Sequence, residues 1–148
     1  MLLLPGGALA GAGCPQTPIP KAPPVIDAAT ESAVVERAAH LKLPAGATGL
    51  RYHQERGADP AIWLRLQIPA AARGAFLRDA GYPDTLSSER RYVRNDQLPG
   101  ESWWRPDEVA AFESGHLLRD QGRPRYGSNL LMSRGGGEIT VYLLVTGL

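Results

Sequence analysis

Side chains that could take part in catalysis are present in this chain, but their spacings define no local motif. Its three histidines, His40, His53 and His116, are widely separated in the sequence. Glu113 and His116 have the Glu-x-x-His spacing of di-metal bundles, yet such bundles need that pair twice on facing helices, and it occurs once here. A hydrolase or transferase site would therefore have to be assembled by folding, from His53, Glu55 and His116.

Two further patterns resemble catalytic motifs and are better explained without catalysis. The run of glycines from Gly135 to Gly137 would cradle a phosphate only if a helix, a lysine and a hydroxyl followed it, and a strand-like segment follows instead. These glycines therefore predict a hairpin turn. Ser87 and Ser88 do not lie in a nucleophile elbow. The sequence accordingly assigns no catalytic residue, no metal ligand and no cofactor.

The adjacent tryptophans Trp103 and Trp104 are the sequence feature that most suggests a binding surface. Neighbouring side chains point in different directions in most backbones, so one ring can fill the core while the other meets a partner or a sugar ring. We take Trp103, Trp104 and Arg105 as candidate binding residues, and Arg105 could stack on either ring. In the alternative interpretation both rings seal the sheet together with Trp63 and Tyr142.

The charge balance argues against a nucleic-acid partner. The chain has 16 basic and 15 acidic residues among 148, whereas nucleic-acid binders usually carry a basic excess. The basic cluster of Arg90, Arg91 and Arg94 is interspersed with carboxylates along the same segment. We therefore expect it to form a solvated, self-paired face rather than a track for phosphates.

Cys14 is the one cysteine of the chain, and its surroundings are typical of an exported lipoprotein. Residues 2–12 form an apolar run. The small residues Gly11, Ala12 and Gly13 lie directly before Cys14. Export signals combine such a run of about 7 to 15 residues with a small-residue cleavage site. The run is too short to cross a bilayer, which takes about 20 apolar residues. No basic residue precedes it, so either the true start lies upstream of Met1 or the chain is a cytoplasmic domain with a spurious leader.

A proline-rich segment follows Cys14 and predicts a spacer. Five prolines occur among residues 15–24, a density that permits neither a helix nor a strand ladder. At roughly 3.1 Å per residue this segment would hold the folded part about 30 Å from a membrane surface. We divide the chain into a lipoprotein-type signal at residues 1–14, a linker at residues 15–25 and one domain at residues 26–148.

The chain resembles small actinomycete-type lipoproteins of unknown function in four features. These are the leader ending at Cys14, the proline spacer, the Leu-Pro-Ala-Gly-Ala-Thr segment at residues 43–48 and the Trp-Trp-Arg-Pro segment at residues 103–106. The resemblance implies a diacylglyceryl thioether on Cys14, an envelope location on the extracytoplasmic face of the cell membrane, and a non-enzymatic accessory role. We expect a tethered module that binds a protein or another envelope component. The resemblance supplies no catalytic residue.

Hydrophobic periodicity predicts an α+β fold. Helical spacing is found at residues 26–41, where Val34, Val35, Ala38, Ala39 and Leu41 share one side, at residues 70–80, which Gly81 ends, and at residues 106–118, which Pro106 begins. Period-two alternation predicts strands at residues 49–56, 61–68, 129–133 and 138–146. We expect these strands to form two hairpins and a four-stranded antiparallel sheet, with one or two helices packed on it.

Overall fold

The computed structural model describes residues 28–119 and 126–147, and in them it has an α+β fold built on one antiparallel sheet. The predicted class is confirmed, but the sheet has five strands rather than four, in the order β1-β2-β5-β4-β3. The elements are α1 (Ala28–Ala39), β1 (Thr48–Glu55), β2 (Ala61–Pro69), α2 (Arg73–Ala80), β3 (Phe112–Arg119), β4 (Tyr126–Ser133) and β5 (Glu138–Gly147).

The elements with clear local signals lie where the sequence predicts them. β1 and β2 form the first antiparallel hairpin, and β4 and β5 form the second. Residues 134–137 make the turn of the second hairpin, as expected from Gly135 to Gly137. Gly81 ends α2 with φ +80°, and its N–H donates to the carbonyl groups of Leu77 and Arg78. This left-handed cap is the conformation for which glycine is suited.

The prediction of a helix at residues 106–118 is wrong. A single 3₁₀ turn covers Pro106–Glu108, and the edge strand β3 follows it. Gly115 lies within that strand, where an added Cβ would come 2.9–3.0 Å from side-chain atoms of Leu86 and Tyr82. A strand lets these side chains approach the backbone at Gly115 and lets β3 pair with β4. Although β3 and β4 are neighbours in the chain, residues 112–119 show no regular alternation of apolar side chains, and for this reason helical spacing was misleading here.

One face of the sheet, the helix face, packs against both helices. Alternate residues of β2 and β5 project there, and their side chains are almost fully buried. Helix α1 contributes Val35 and Ala39 to this core, and α2 contributes Phe76 and Leu77. Val34, which the sequence places on the same helical stripe, is 37% exposed. The sheet residues of this core are Ile62, Leu64, Leu66, Ile68, Leu130, Met132, Ile139, Val141, Leu143 and Val145.

The opposite face, the loop face, is covered by the later part of residues 81–111, which connect α2 to β3, whereas Tyr82 and Leu86 at the start of this connection pack with the helix-face core. Two 3₁₀ turns, Asn95–Gln97 and Pro106–Glu108, are the helical elements within this connection. Its buried residues Val93, Leu98 and Trp104 pack on Trp63, Leu131, Tyr142 and Leu144 of the sheet. The sequence indicates that the face carrying Tyr142 and Leu144 is partly dry, and both residues are in fact buried.

An ion pair joins α2 to the edge strand β3. Arg73 Nε donates to Glu113 Oε1 at 2.5 Å and Arg73 Nη2 donates to Oε2 at 2.8 Å. The hydrogen bond to Glu113 raises the pKa of the Arg73 guanidinium above its ordinary value. Arginine is charged across the working pH range in any case. The bidentate geometry of the pair is therefore what matters for joining α2 to β3, and not the titration of Arg73.

Candidate functional site

A cleft opens at one end of the sheet, where α1 ends, the β1–β2 turn passes, β4 begins and β5 ends. Its volume is about 350 Å³, which lies at the lower end of the range for small-molecule sites, about 300–1,000 Å³. Ile62 and Val145 of the core line it, so apolar surface is accessible from outside at this point. The other lining residues are Ala38, His40, Gln54, Glu55, Gly57, Ala58, Pro60, Ala61, Tyr126 and Gly147.

His40 forms one wall of the cleft and lies directly after α1 in a left-handed conformation. Its φ is +56°, and no other non-glycine residue of the described chain has a positive φ. The N–H of Leu41 donates to the carbonyl of Glu36 at 3.2 Å, the bond that defines a Schellman helix ending with His40 at the position usually taken by glycine. A side chain in this conformation costs about 1–2 kcal/mol relative to the right-handed form.

Tyr126, the first residue of β4, completes the aromatic wall. The rings of His40 and Tyr126 are stacked with centroids 4.5 Å apart and planes 16° apart. The stack holds the exposed imidazole of His40 against a half-buried phenol ring. The stack shares the lining of the cleft with the aliphatic side chains of Ala38, Ile62 and Val145.

The polar groups of the cleft are mostly uncharged. Gln54 is opposite Ile62 in the β1–β2 register, so its amide lies on the cleft side of the strand. Glu55 projects to the other face, where Oε1 is 3.6 Å from His53 Nε2. Of the described residues, the cleft therefore offers amide, phenol and imidazole groups, and the one carboxylate in its lining, on Glu55, projects to the loop face.

The two tryptophans proposed as binding residues differ in exposure. Trp104 is fully buried, donates from Nε1 to the carbonyl of Arg94 at 2.9 Å, and meets Tyr142 edge-on at 5.4 Å. Trp103 is half-buried and donates from Nε1 to Glu101 Oε2 at 2.9 Å. Both pack in the same cluster as Trp63 and Tyr142. Both rings thus help to cover the loop face, as the alternative interpretation expects, and a binding role for Trp103, Trp104 and Arg105 stays a prediction.

Arg105 and the arginine cluster are also engaged within the fold. Arg105 Nε is 3.8 Å from Glu108 Oε1, whereas the cation–π contacts of the described residues come from Arg65, Arg90 and Arg91. Arg91 is 4.1 Å from the Phe112 ring and donates to the carbonyls of Pro106 and Val109. Arg91 thus helps to hold residues 81–111 in place, whereas the pair of Arg105 with Glu108 is exposed to solvent.

The histidines that could have formed a catalytic set do not meet. His53 on β1 and His116 on β3 lie in one row across the sheet, on its two edge strands. Four strand spacings of about 4.8 Å place them about 19 Å apart. His116 instead contacts Asn129, with Nδ1 2.6 Å from Oδ1. Glu113 projects to the other face of β3, so the Glu-x-x-His pair is split as well.

Within residues 28–119 and 126–147 no group of three or more histidine, cysteine, aspartate or glutamate side chains is placed to hold a metal ion. No helix in the same ranges has the length and apolar character needed to span a bilayer. Cys14 and the proline-rich linker lie outside the described residues.

Sequence reasoning missed the cleft. The sequence gives only a weak signal for it, since His40 lies near the end of a predicted helix and Tyr126 lies outside the strand predicted at residues 129–133. Searches with the chain find no matching protein-family model, no similar curated protein and no similar solved structure. The geometry of the cleft is therefore the main guide to function.

Proposed function

We propose that this chain is a binding module, held on the extracytoplasmic face of a membrane by a lipid on Cys14, whose cleft takes a small uncharged molecule that carries a flat ring. The observation that supports this proposal is the stack of His40 on Tyr126 beside exposed core residues. The stack is built at an energetic cost, because His40 is held in a left-handed conformation.

The lining of the cleft indicates the class of ligand. Ile62, Val145 and Ala38 offer aliphatic contact to the ring, and the volume of about 350 Å³ suits a single small molecule. Gln54 and Tyr126 can hydrogen-bond to one or two polar atoms of it. Among the described residues the lining contains no lysine or arginine, and its one carboxylate, on Glu55, projects to the loop face, so a ligand of either charge would lose its hydration without gaining a counter-charge.

Titrations of the full chain followed by two-dimensional NMR test this proposal. The probes are indole, phenol and benzyl alcohol, with benzoate and benzylamine as their charged counterparts. We expect saturable shifts at His40, Ile62 and Tyr126 with the uncharged probes and weaker binding of the charged ones.

A cleft-filling variant makes the test specific. Ala58→Trp places a large side chain at the exposed rim, and we expect uncharged probes to bind at least about tenfold more weakly, a difference of about 1.4 kcal/mol. Ala45→Trp, in the turn before β1 and outside the lining, is the matched control and should bind as the unsubstituted chain does. Unchanged binding to Ala58→Trp, or no saturable shift with any probe, would contradict the proposal.

A further inference from the structure

The two edges of the sheet differ in how they are protected. At the β3 edge, Ser114 exchanges two backbone hydrogen bonds with Ser87, of 2.8 and 3.0 Å, and its Oγ accepts from the Tyr92 N–H at 3.1 Å. No backbone group of the described residues bonds to the outer side of β1. Unpaired N–H and C=O groups on an edge strand are a template for a further strand.

The charges on the loop-face side of β1 are arranged around His53. Arg51 lies two residues before it and Glu55 two residues after it, and all three project to the same side. Arg51 is directly opposite Arg65 of β2 and has no ion-pair partner among the described residues. Like charges directly opposite one another in a sheet are destabilising. An acidic side chain on the open side of β1 would relieve this repulsion.

We propose that a second copy of the chain pairs with this edge, β1 against β1, antiparallel and with the twofold axis at His53. In this register Arg51 lies opposite Glu55 of the second copy, and Glu55 lies opposite Arg51 of the second copy. The contact is self-complementary, as a twofold interface requires. The two sheets then form one continuous ten-stranded sheet by strand addition.

The neighbouring registers do not give this match. With the axis at Tyr52, Arg51 would face His53 of the second copy. With the axis at Gln54, Arg51 would face Gly57, which offers no charge. With the axis at His53, Arg51 of each copy has a Glu55 carboxylate opposite it. On the helix-face side, Tyr52 lies opposite Gln54, and neither side chain is charged.

Sedimentation velocity of the full chain over a concentration series tests the interface. We expect a monomer–dimer equilibrium in which Arg51→Glu or Glu55→Arg alone raises the dissociation constant at least about tenfold, because each turns two attractive pairs into repulsive ones. The double variant Arg51→Glu with Glu55→Arg restores the pairs and should dimerise again. Arg78→Glu on α2 is the control for the change in net charge.

A cross-link provides a readout that does not depend on affinity. In a Cys14→Ser background, His53→Cys would place two thiols on the twofold axis, where directly opposite residues have Cβ atoms about 4.5–5.5 Å apart. We expect a disulfide-linked dimer from His53→Cys and none from Leu118→Cys on the other edge strand. A monomer at every concentration, or a double variant that folds but fails to recover dimerisation, would overturn the proposal.

Discussion

His40 shows how one backbone conformation can place a side chain at a site. Helix α1 ends in a Schellman turn whose left-handed residue is usually glycine, and here an imidazole occupies it. The conformation directs the ring of His40 onto Tyr126 at the mouth of the cleft. The cost of the backbone conformation and the gain from stacking therefore act at the same residue.

Substitutions at His40 separate the cost of its conformation from the gain of its ring. His40→Gly and His40→Ala both lose the stack on Tyr126, but glycine alone adopts φ +56° without steric cost. We expect the free energy of unfolding in urea to be about 1 kcal/mol higher for His40→Gly than for His40→Ala. Both variants should bind the uncharged ring probes more weakly. Equal stability of the two variants would contradict this account of the helix end.

At the scale of elements, the loop face is covered by part of the long connection of residues 81–111 and not by a third α-helix. It is held by buried rings, by a hydrogen bond from Tyr92 to β3 and by one between Trp104 and Arg94 within the connection, rather than by regular secondary structure. Ser114 is central to this attachment, because its buried Oγ donates to the Leu130 carbonyl at 2.5 Å and accepts from the Tyr92 N–H. One hydroxyl thus joins β3, β4 and the connection.

Removal of this hydroxyl should loosen the connection more than the sheet. Ser114→Ala leaves the Tyr92 N–H without its acceptor, and we expect a loss of about 1–3 kcal/mol of unfolding free energy. Amide hydrogen exchange should rise at Tyr92 and its neighbours while β2 and β5 keep their protection. Ser88→Ala, an exposed serine in the same connection, is the matched control. Uniform exchange across the whole sheet would show instead that the connection and the sheet unfold as one unit.

At the scale of the whole molecule, the chain has three layers, which are two helices, a five-stranded sheet and an irregular cover. This arrangement buries both faces of β2 and β5 and leaves two features accessible, the cleft beside His40 and the outer side of β1. Gln54 and Glu55 of β1 belong to both features, because they line the cleft and also lie in the proposed β1 pairing, so binding of a small molecule and self-association meet at the same strand.

The membrane tether is tested on the intact chain in bacterial cells. We expect incorporation of a palmitate analogue into the unsubstituted protein and its loss in Cys14→Ser, because the thiol is the attachment point, and stable anchoring takes more than one acyl chain. The unsubstituted protein should fractionate with membranes. Unlabelled, full-length protein in the soluble fraction would contradict the tether and leave the proposals about the cleft and the β1 edge unaffected.

The sequence by itself determined the α+β class, both hairpins and the end of α2 at Gly81, because alternation, turn residues and caps act over a few neighbouring residues. Tertiary structure decided what depends on distant pairing. It made residues 112–119 a fifth strand, buried Trp104 in the sheet, and brought His40 to Tyr126 and Ile62 around a cleft. Apart from the pairing of β3 with the next strand β4, these contacts join segments far apart in the chain, and local periodicity carries no information about which distant segments will meet.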